Sequence, residues 1–230
     1  MNSKEIIKNL SLKEKIKLTS GKDFWHTKTT HGLKAIKMSD GPHGLRCQDD
    51  QTDMLGINKS LPATCFPTAS ITACSFDEEL IKEMASAIAD EAINYNVSIV
   101  LGPGTNIKRD PLCGRNFEYF SEDPYLAGKL SAAFIEAVQN KGVSTSLKHF
   151  ALNNQEYKRL NSDSLVDERT MREIYLKPFE IAIKSSKPDT IMCSYNLING
   201  VHSSDNKKLL TDILRNEWGY QGLVVKIGAQ

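Results

Sequence analysis

Charged and aromatic side chains follow several predicted strands, at positions where they could bind a polar ligand. In the segment DGPHGLR, Asp40 and Arg46 are expected to lie close together, because its glycines and proline favour a tight turn. Such a turn could hold an internal ion pair, or its charges could grip the hydroxyl groups of a sugar. The residues alone favour neither interpretation.

A second charged segment, GPGTNIKRDPLCGRNFEYFSEDP (residues 102–124), is predicted to be a long ordered loop, and such loops are often functional. Arg109 and Arg115 are followed closely by Glu118, and for most of these charges we expect arginine–carboxylate pairs that brace the loop. GPGTN lacks the spacing of phosphate-binding motifs, so binding of a phosphorylated ligand there is the weaker hypothesis.

Lys148 and His149 directly follow an apolar strand, and neighbours on a strand point to opposite faces. A lone histidine there is more often a buried structural residue than a catalyst. A buried ammonium needs an acidic partner or a polyhydroxylated ligand, because burying an unpaired charge is expensive. Arg159 ends the segment NNQEYKR, and Tyr195 lies just past another predicted strand. Metal-binding motifs and a GxSxG elbow are missing, so we predict no metal site, no cofactor and no serine hydrolase.

Short β-branched runs alternate with amphipathic segments, which predicts a parallel sheet covered by helices. The candidate strands are 35–38, 98–102, 143–147, 190–194 and 222–225, and the candidate helices are 75–96, 123–142, 171–186 and 206–219. Ser75 and Glu78 could form a capping box, Gly142 suits a helix end, and Pro178 should kink its helix or reset its start. Polar groups at the carboxyl ends of parallel strands are typical of both (β/α) barrels and doubly wound folds.

Composition limits the classes of partner. The 230 residues are 40% apolar and 25% charged, with 29 basic and 28 acidic side chains, so we predict no binding to nucleic acid or to a membrane surface. The N-terminus does not resemble a secretory signal, and no apolar run approaches the roughly 18–20 residues of a membrane span. We therefore predict a cytoplasmic protein whose five cysteines are reduced thiols. Nothing in the sequence predicts an oligomeric state.

Five segments resemble glycoside hydrolase family 3, in its β-glucosidase branch, and follow the order and spacing of that family from about residue 11 to residue 225. They are DGPHGLR, GPGTNIKRDPLCGRNFEYFSEDP, SLKHFALNNQEYKR, VDERTMREIYLKPFE and MCSYNLING. The resemblance implies an α/β fold of the (β/α)8 TIM-barrel type, incomplete at its C-terminal end. Residues 1–230 would form the N-terminal barrel domain, without a C-terminal domain. The residues implied to bind the terminal sugar are Asp40, Arg46, Arg115, Lys148, His149, Arg159 and Tyr195.

The implied reaction is retaining hydrolysis of terminal, non-reducing β-D-glucosyl residues, with a β-glucoside or an oligosaccharide as the small-molecule substrate. A retaining glycosidase needs a nucleophile and a general acid/base about 5–5.5 Å apart. In the family, a nucleophilic Asp follows the strand GLVV, where this chain has Ile227, and the acid/base comes from a later region. We therefore expect no catalytic residue of this pair and no hydrolysis by this chain. A non-catalytic sugar-binding remnant is the alternative.

The residues after GLVV suggest a one-base deletion. If codons 225–230 encoded VTDWGA as GTA ACA GAT TGG GGC GCA, loss of one base from codon 226 would give GTA AAG ATT GGG GCG CA. The shifted frame encodes Val-Lys-Ile-Gly-Ala and then Gln or His, in agreement with VKIGAQ. This hypothesis requires that another frame of the gene continues with TDWGA.

Overall fold

The computed structural model of the protein describes residues 3–30, 33–48 and 59–226. The position at which the resemblance places the nucleophile, Ile227, lies outside the described residues.

Within the described residues, short strands make up two sheets. The strands are β1 (Met38–Asp40), β2 (Ile99–Leu101), β3 (Ser144–Phe150), β4 (Asp163–Ser164), β5 (Thr190–Cys193), β6 (Leu197–Ile198), β7 (Val201–His202) and β8 (Leu223–Val225). The main sheet is parallel throughout and has the order β1-β2-β3-β5-β8. The small sheet has the order β4-β6-β7, with β6 and β7 antiparallel. The predicted parallel α/β sheet is confirmed, and β1 and β8 are its edges in the part of the chain described here.

The α-helices are α1 (Ser3–Asn9), α2 (Leu12–Leu18), α3 (Ala69–Thr72), α4 (Glu78–Asn94), α5 (Pro124–Asn140), α6 (Glu168–Thr170) and α7 (Lys177–Ser186). Met171–Tyr175 and Lys208–Glu217 are π-helical. Short 3₁₀ turns occupy Ala73–Ser75, Asn116–Glu118 and Ser203–Asp205. The third predicted helix is divided as expected, because α7 restarts with Pro178 in its first turn.

Aspartate residues begin the two long helices. Asp77 Oδ1 accepts hydrogen bonds from the backbone of Glu79 and Leu80 at 2.9 and 3.2 Å, and Asp123 caps α5 in the same manner. The predicted capping box at Ser75 is therefore wrong, because the Ser75 hydroxyl is used by the preceding turn, where it donates to the carbonyl of Thr72.

The core lies on both sides of β3, whose residues 145–150 are all buried, as is usual for the middle of a parallel sheet. One apolar cluster joins α4 and α5 through alanines, and the other joins β3, β5 and α7 around Phe150 and Phe179. Helices α5 and α7 approach closely at Gly128, where an added Cβ would lie 2.8 Å from Ile181. This packing fixes β3, which carries two of the predicted site residues.

No helix in the described part of the chain is long and apolar enough to span a membrane. The five cysteines are free thiols, and Cys47 and Cys193 are buried.

Candidate functional site

Polar side chains collect where the parallel strands end. Asp40 is the last residue of β1, and Lys148 and His149 lie near the end of β3. Tyr195 comes just after β5, and the charged loop after β2 carries Arg115. Because parallel strands end at one edge of a sheet, the fold brings residues from four separate segments toward that edge.

Two carboxylates and two cations form a buried ionic cluster there: Asp40, Arg115, Glu118 and Lys148. The ammonium of Lys148 lies 2.8 Å from Asp40 Oδ1 and 3.3 Å from Glu118 Oε2. Arg115 Nε donates to the other oxygen of Glu118. The side chains of Lys148 and Glu118 are 3% and 2% exposed, whereas that of Asp40 is 36% exposed. The ionic cluster is therefore dry at its centre and meets solvent at Asp40.

The ionic cluster fixes the charges of its members. Burial alone would raise the pKa of Asp40, but Lys148, Arg115 and Arg46 outweigh burial and hold that pKa below its ordinary value. Burial would lower the pKa of Lys148, but the carboxylates of Asp40 and Glu118 outweigh it and raise that pKa. Both groups are charged at neutral pH, so Asp40 can accept a hydrogen bond from a hydroxyl group but cannot supply a proton as a general acid.

His149 is held at both its backbone and its ring. Its backbone N–H donates to Asn106 Oδ1 at 2.8 Å, and its carbonyl accepts from Asn106 Nδ2 at 3.0 Å. The Tyr119 hydroxyl lies 3.0 Å from Nδ1 of the ring, and Asn153 Nδ2 donates to the same hydroxyl at 2.8 Å. The residue is 1% exposed, and the Tyr119 hydroxyl takes the place of water at Nδ1.

Lys148 and His149 both contact the loop after β2, through Glu118 and Tyr119 respectively. Strand alternation predicts that the side chains of Lys148 and His149 point to opposite faces of the sheet. The pairing of β3 with β5 instead shifts register between Lys148 and Phe150, which leaves His149 outside the regular ladder.

Arg159 and Tyr195 stack against each other, with the guanidinium 4.8 Å from the centre of the ring. Glu156 Oε2 accepts from Arg159 Nη1 at 2.9 Å, and Glu156 Oε1 accepts from Asn153 at 3.2 Å. A continuous chain of contacts therefore leads from Tyr195 through Glu156 and Asn153 toward His149.

Arg46 lies at the margin of the site. Its backbone N–H donates to the carbonyl of Asp40 at 2.8 Å and closes the predicted turn. Its side chain is exposed, and among the described residues it forms no hydrogen bond or ion pair with Asp40. The two charges interact only at longer range, so the internal ion pair considered from the sequence is not what closes this loop.

From the sequence, Glu118 is predicted only to brace the loop. No role is predicted for Tyr119, Asn106 or Asn153. A signal for Glu118 was present, because it lies in the run NFEYF between Phe117 and Tyr119. A carboxylate within an aromatic run is expected to be buried, and a buried carboxylate needs a cation. No comparable signal marks the two asparagines.

The GPGTN segment serves as a support for β3. Residues 102–106 are buried, and the backbone N–H of Thr105 donates to the carbonyl of Lys148 at 2.8 Å. Lys148 N–H in turn donates to the carbonyl of Pro103 at 3.0 Å. An added Cβ on Gly104 would lie 2.6 Å from the carbonyl oxygen of Glu118. This close packing argues against a phosphorylated ligand in the segment.

Groups of three or more His, Cys, Asp or Glu side chains that could hold a metal ion do not occur among the described residues.

Comparison with known proteins gives a consistent result. Residues 22–226 match the family described as "Glycosyl hydrolase family 3 N terminal domain". The chain is 55% identical over 224 residues to thermostable beta-glucosidase B of Acetivibrio thermocellus, covering 96% of this chain and 30% of that protein. It is 52% identical over 225 residues to an exo-alpha-(1->6)-L-arabinopyranosidase of Bifidobacterium breve, covering 95% of this chain and 29% of that protein.

Solved structures agree with these relatives. A Bifidobacterium adolescentis GH3 beta-glucosidase is 50% identical with a TM-score of 0.89, covering 96% of this chain and 31% of that one. The Kluyveromyces marxianus beta-glucosidase in complex with glucose is 42% identical with a TM-score of 0.92, covering 98% of this chain and 27% of that one. The chain thus spans about a third or less of the length of these proteins.

Proposed function

Because the chain belongs to glycosyl hydrolase family 3, we propose that its polar strand ends bind the terminal sugar of a β-glucoside or a related oligosaccharide. The parent activity in this proposal is the retaining hydrolysis of terminal, non-reducing β-D-glucosyl residues. Residues 1–230 are proposed to belong to the N-terminal (β/α)8 barrel domain of such an enzyme. The parallel sheet, with the site at the carboxyl ends of its strands, supports that architecture.

The observation that carries the proposal is the ionic cluster, which leaves one carboxylate oxygen available. Asp40 Oδ1 is bound by Lys148, whereas Oδ2 forms no hydrogen bond within the described residues. Hydrogen bonds that involve a charged group contribute about 1.5–3 kcal/mol each, so a fixed and ionised Asp40 is well suited to bind a sugar hydroxyl. Lys148, which is itself held by Glu118, keeps the Asp40 side chain in place.

The remaining predicted residues supply donors around the same edge. Arg115 is held by Glu118, Arg159 is held by Glu156 and stacked on Tyr195, and the His149 ring is fixed by Tyr119. An array of charged donors and acceptors on rigid strand ends is suited to a polyhydroxylated ring. We include Arg46 in the proposed site as an exposed cation at the margin of the ionic cluster.

We further propose that this chain binds sugar without hydrolysing it. Asp40 is ionised and Glu118 is enclosed, so neither can protonate a leaving group, and Ile227 offers no carboxylate at the position of the family nucleophile. In this respect the proposal includes the alternative of a non-catalytic sugar-binding protein.

Thermal unfolding with D-glucose tests the binding proposal, and L-glucose is the control because it carries the same groups in mirror-image arrangement. At a hundredfold excess over Kd, D-glucose should stabilise the chain by about 2.7 kcal/mol, which raises Tm by roughly 5–10 °C for a chain of this size. L-Arabinose belongs in the same series, because one relative is an arabinopyranosidase.

Asp40→Asn should abolish the shift in Tm, whereas Asp90→Asn should retain it, because Asp90 forms only a surface ion pair with Lys141. Equal shifts with D- and L-glucose, or none with any sugar, would contradict the proposed site. Release of aryl alcohol from an aryl β-glucoside by this chain would contradict only the proposed lack of hydrolysis.

A further inference from the structure

The hydrogen-bond chain that ends at His149 runs in one direction. We infer that Tyr119, Asn153 and Glu156 are positioning residues that fix His149 as the tautomer with its proton on Nε2. The role of this tautomer, donation of a hydrogen bond to a sugar hydroxyl, rests on the proposed function. The assignment of the tautomer does not.

The direction is set at Glu156, whose carboxylate can only accept. Its Oε1 lies 3.2 Å from Asn153 Nδ2 and its Oε2 accepts from Arg159. If the Asn153 amide were turned over, its carbonyl oxygen would face the carboxylate, and two acceptors would repel each other. Glu156 therefore holds Asn153 with its NH₂ group toward Glu156 and Tyr119.

The next step follows at Tyr119. Its oxygen accepts from Asn153 Nδ2 at 2.8 Å, so its own proton must go elsewhere. Tyr119 is fully buried, and the acceptor that the described residues place within reach of its hydroxyl is His149 Nδ1, at 3.0 Å. A hydroxyl that donates to Nδ1 requires a lone pair on that nitrogen.

The charge states of the two rings agree with this arrangement. Burial raises the pKa of the Tyr119 hydroxyl well above its ordinary value, so the hydroxyl keeps its proton. Burial, and then the cations Arg115, Lys148 and Arg159, lowers the pKa of His149 well below its ordinary value. A neutral imidazole with a lone pair on Nδ1 carries its one proton on Nε2.

The consequence is a fixed donor in the site. Nε2–H of His149 has no hydrogen-bond acceptor among the described residues, and Asn106 fixes the backbone behind it. A sugar oxygen opposite Nε2 would receive a hydrogen bond, and the ring could not turn its lone pair toward a sugar proton without breaking the contact with Tyr119.

Two-bond ¹H–¹⁵N spectra of the ¹⁵N-histidine-labelled chain near neutral pH test this inference, because protonated and lone-pair imidazole nitrogens have well-separated shifts. The His149 signals are assigned by their loss in His149→Gln. We expect Nε2 of His149 to show the shift of a protonated nitrogen and Nδ1 that of a lone-pair nitrogen. The reverse pattern in the unmodified chain would overturn the inference. Apart from His149→Gln, which serves only to assign the signals, this measurement requires no variant.

Tyr119→Phe removes the donor and should convert the single tautomer into a mixture. Glu156→Gln should do the same, because a glutamine amide can donate to a turned Asn153. Tyr220→Phe is the matched control: it removes another buried hydroxyl, which donates to the carbonyl of Leu223, and should leave the His149 spectrum unchanged. A single Nε2–H tautomer in both site variants would overturn the roles of Tyr119 and Glu156.

Sugar titration separates this inference from the proposed function. Tyr119→Phe should weaken D-glucose binding about fivefold, by misdirecting one hydrogen bond, while Tyr220→Phe binds as the original chain does. An Nε2–H tautomer in a chain that binds no sugar would leave the positioning roles intact and remove the proposed function. An Nδ1–H tautomer in a chain that binds D-glucose would overturn the positioning roles and leave the proposed function intact.

Discussion

Two ion-pair networks in this protein have the same composition and very different surroundings. Each contains two carboxylates, one arginine and one lysine: the ionic cluster of Asp40, Arg115, Glu118 and Lys148, and a helix network of Glu168, Arg172, Lys208 and Glu217. In the helix network, Arg172 contacts both oxygens of Glu217 at 2.7 and 2.9 Å, and Lys208 contacts Glu168. These distances are as short as those around Lys148, so distance alone does not distinguish the two networks.

Exposure distinguishes them. The side chain of Lys148 is 3% exposed and that of Lys208 is 58% exposed. A buried charge that loses its partner remains without compensation, whereas an exposed charge that loses its partner returns to water. The comparison teaches that loss of one member should cost the folded state far more in the ionic cluster than in the helix network.

The largest expected effect comes from removing one lysine of each network. Lys148→Met should lower the free energy of unfolding by about 3–5 kcal/mol, because it leaves Asp40 without its close cation and the buried Glu118 with Arg115 alone. Lys208→Met should lower it by about 0–1 kcal/mol. Urea unfolding followed by circular dichroism measures both values. Similar losses in the two variants would break the comparison.

Neutralising one acid in the Lys148→Met background sharpens this test. Asp40→Asn added to Lys148→Met should recover part of the lost stability, since Asp40 loses its close cation with Lys148 whereas Glu118 keeps Arg115. Purely additive destabilisation by the two substitutions would show that lost packing, and not unpaired charge, causes the effect.

A smaller effect is expected in acid. The pKa of Asp40 is lower in the folded chain than in the unfolded one, so its contribution is present above the unfolded pKa and is lost as the pH falls through the folded pKa. Unfolding free energies measured between about pH 5 and pH 2 should therefore fall more steeply for the original chain than for Asp40→Asn. His43, which also faces this cluster, is retained in both proteins. If the unfolding free energies of the original chain and of Asp40→Asn fell in parallel with pH, the lowered pKa of Asp40 would be contradicted.

The smallest effect should come from salt. At about 1 M NaCl the Debye length is near 3 Å, so the exposed helix network is screened while the ionic cluster is not. Arg172→Met should destabilise the chain by less than about 1 kcal/mol in low salt, and by nothing measurable in high salt. The loss of unfolding free energy caused by Lys148→Met should be the same in low and in high salt. A salt-sensitive cost of Lys148→Met would show that water reaches the ionic cluster.

The sequence predicts the repeating elements of this fold well, because hydrophobic period and capping residues are local signals. The end of α5 is one example, since Gly142 adopts a left-handed φ of +83° just past the helix. Local competition defeats such signals elsewhere. Asp77 begins α4 in place of Ser75, and β1 begins at Met38 instead of residue 35, because its register is set by pairing with Ile99 in β2.

The site is less predictable, since it depends on contacts between distant segments. Residue types at strand ends identify Asp40, Lys148 and His149 as candidates. They do not show that Glu118 joins Lys148 to Arg115, because that role exists only once the loop after β2 folds onto β3. The marginal position of Arg46 is equally a product of the folded turn.

The long sequence separation within the ionic cluster has a consequence for synthesis. Asp40 and Lys148 are 108 residues apart, and both acidic partners of Lys148 precede it in the chain. During translation the carboxylates leave the ribosome first, so both partners are available when the lysine emerges. Until β1, β2 and β3 have paired, however, Lys148 must stay hydrated. The loss of water from this edge and the joining of the first three main-sheet strands are therefore expected to occur together.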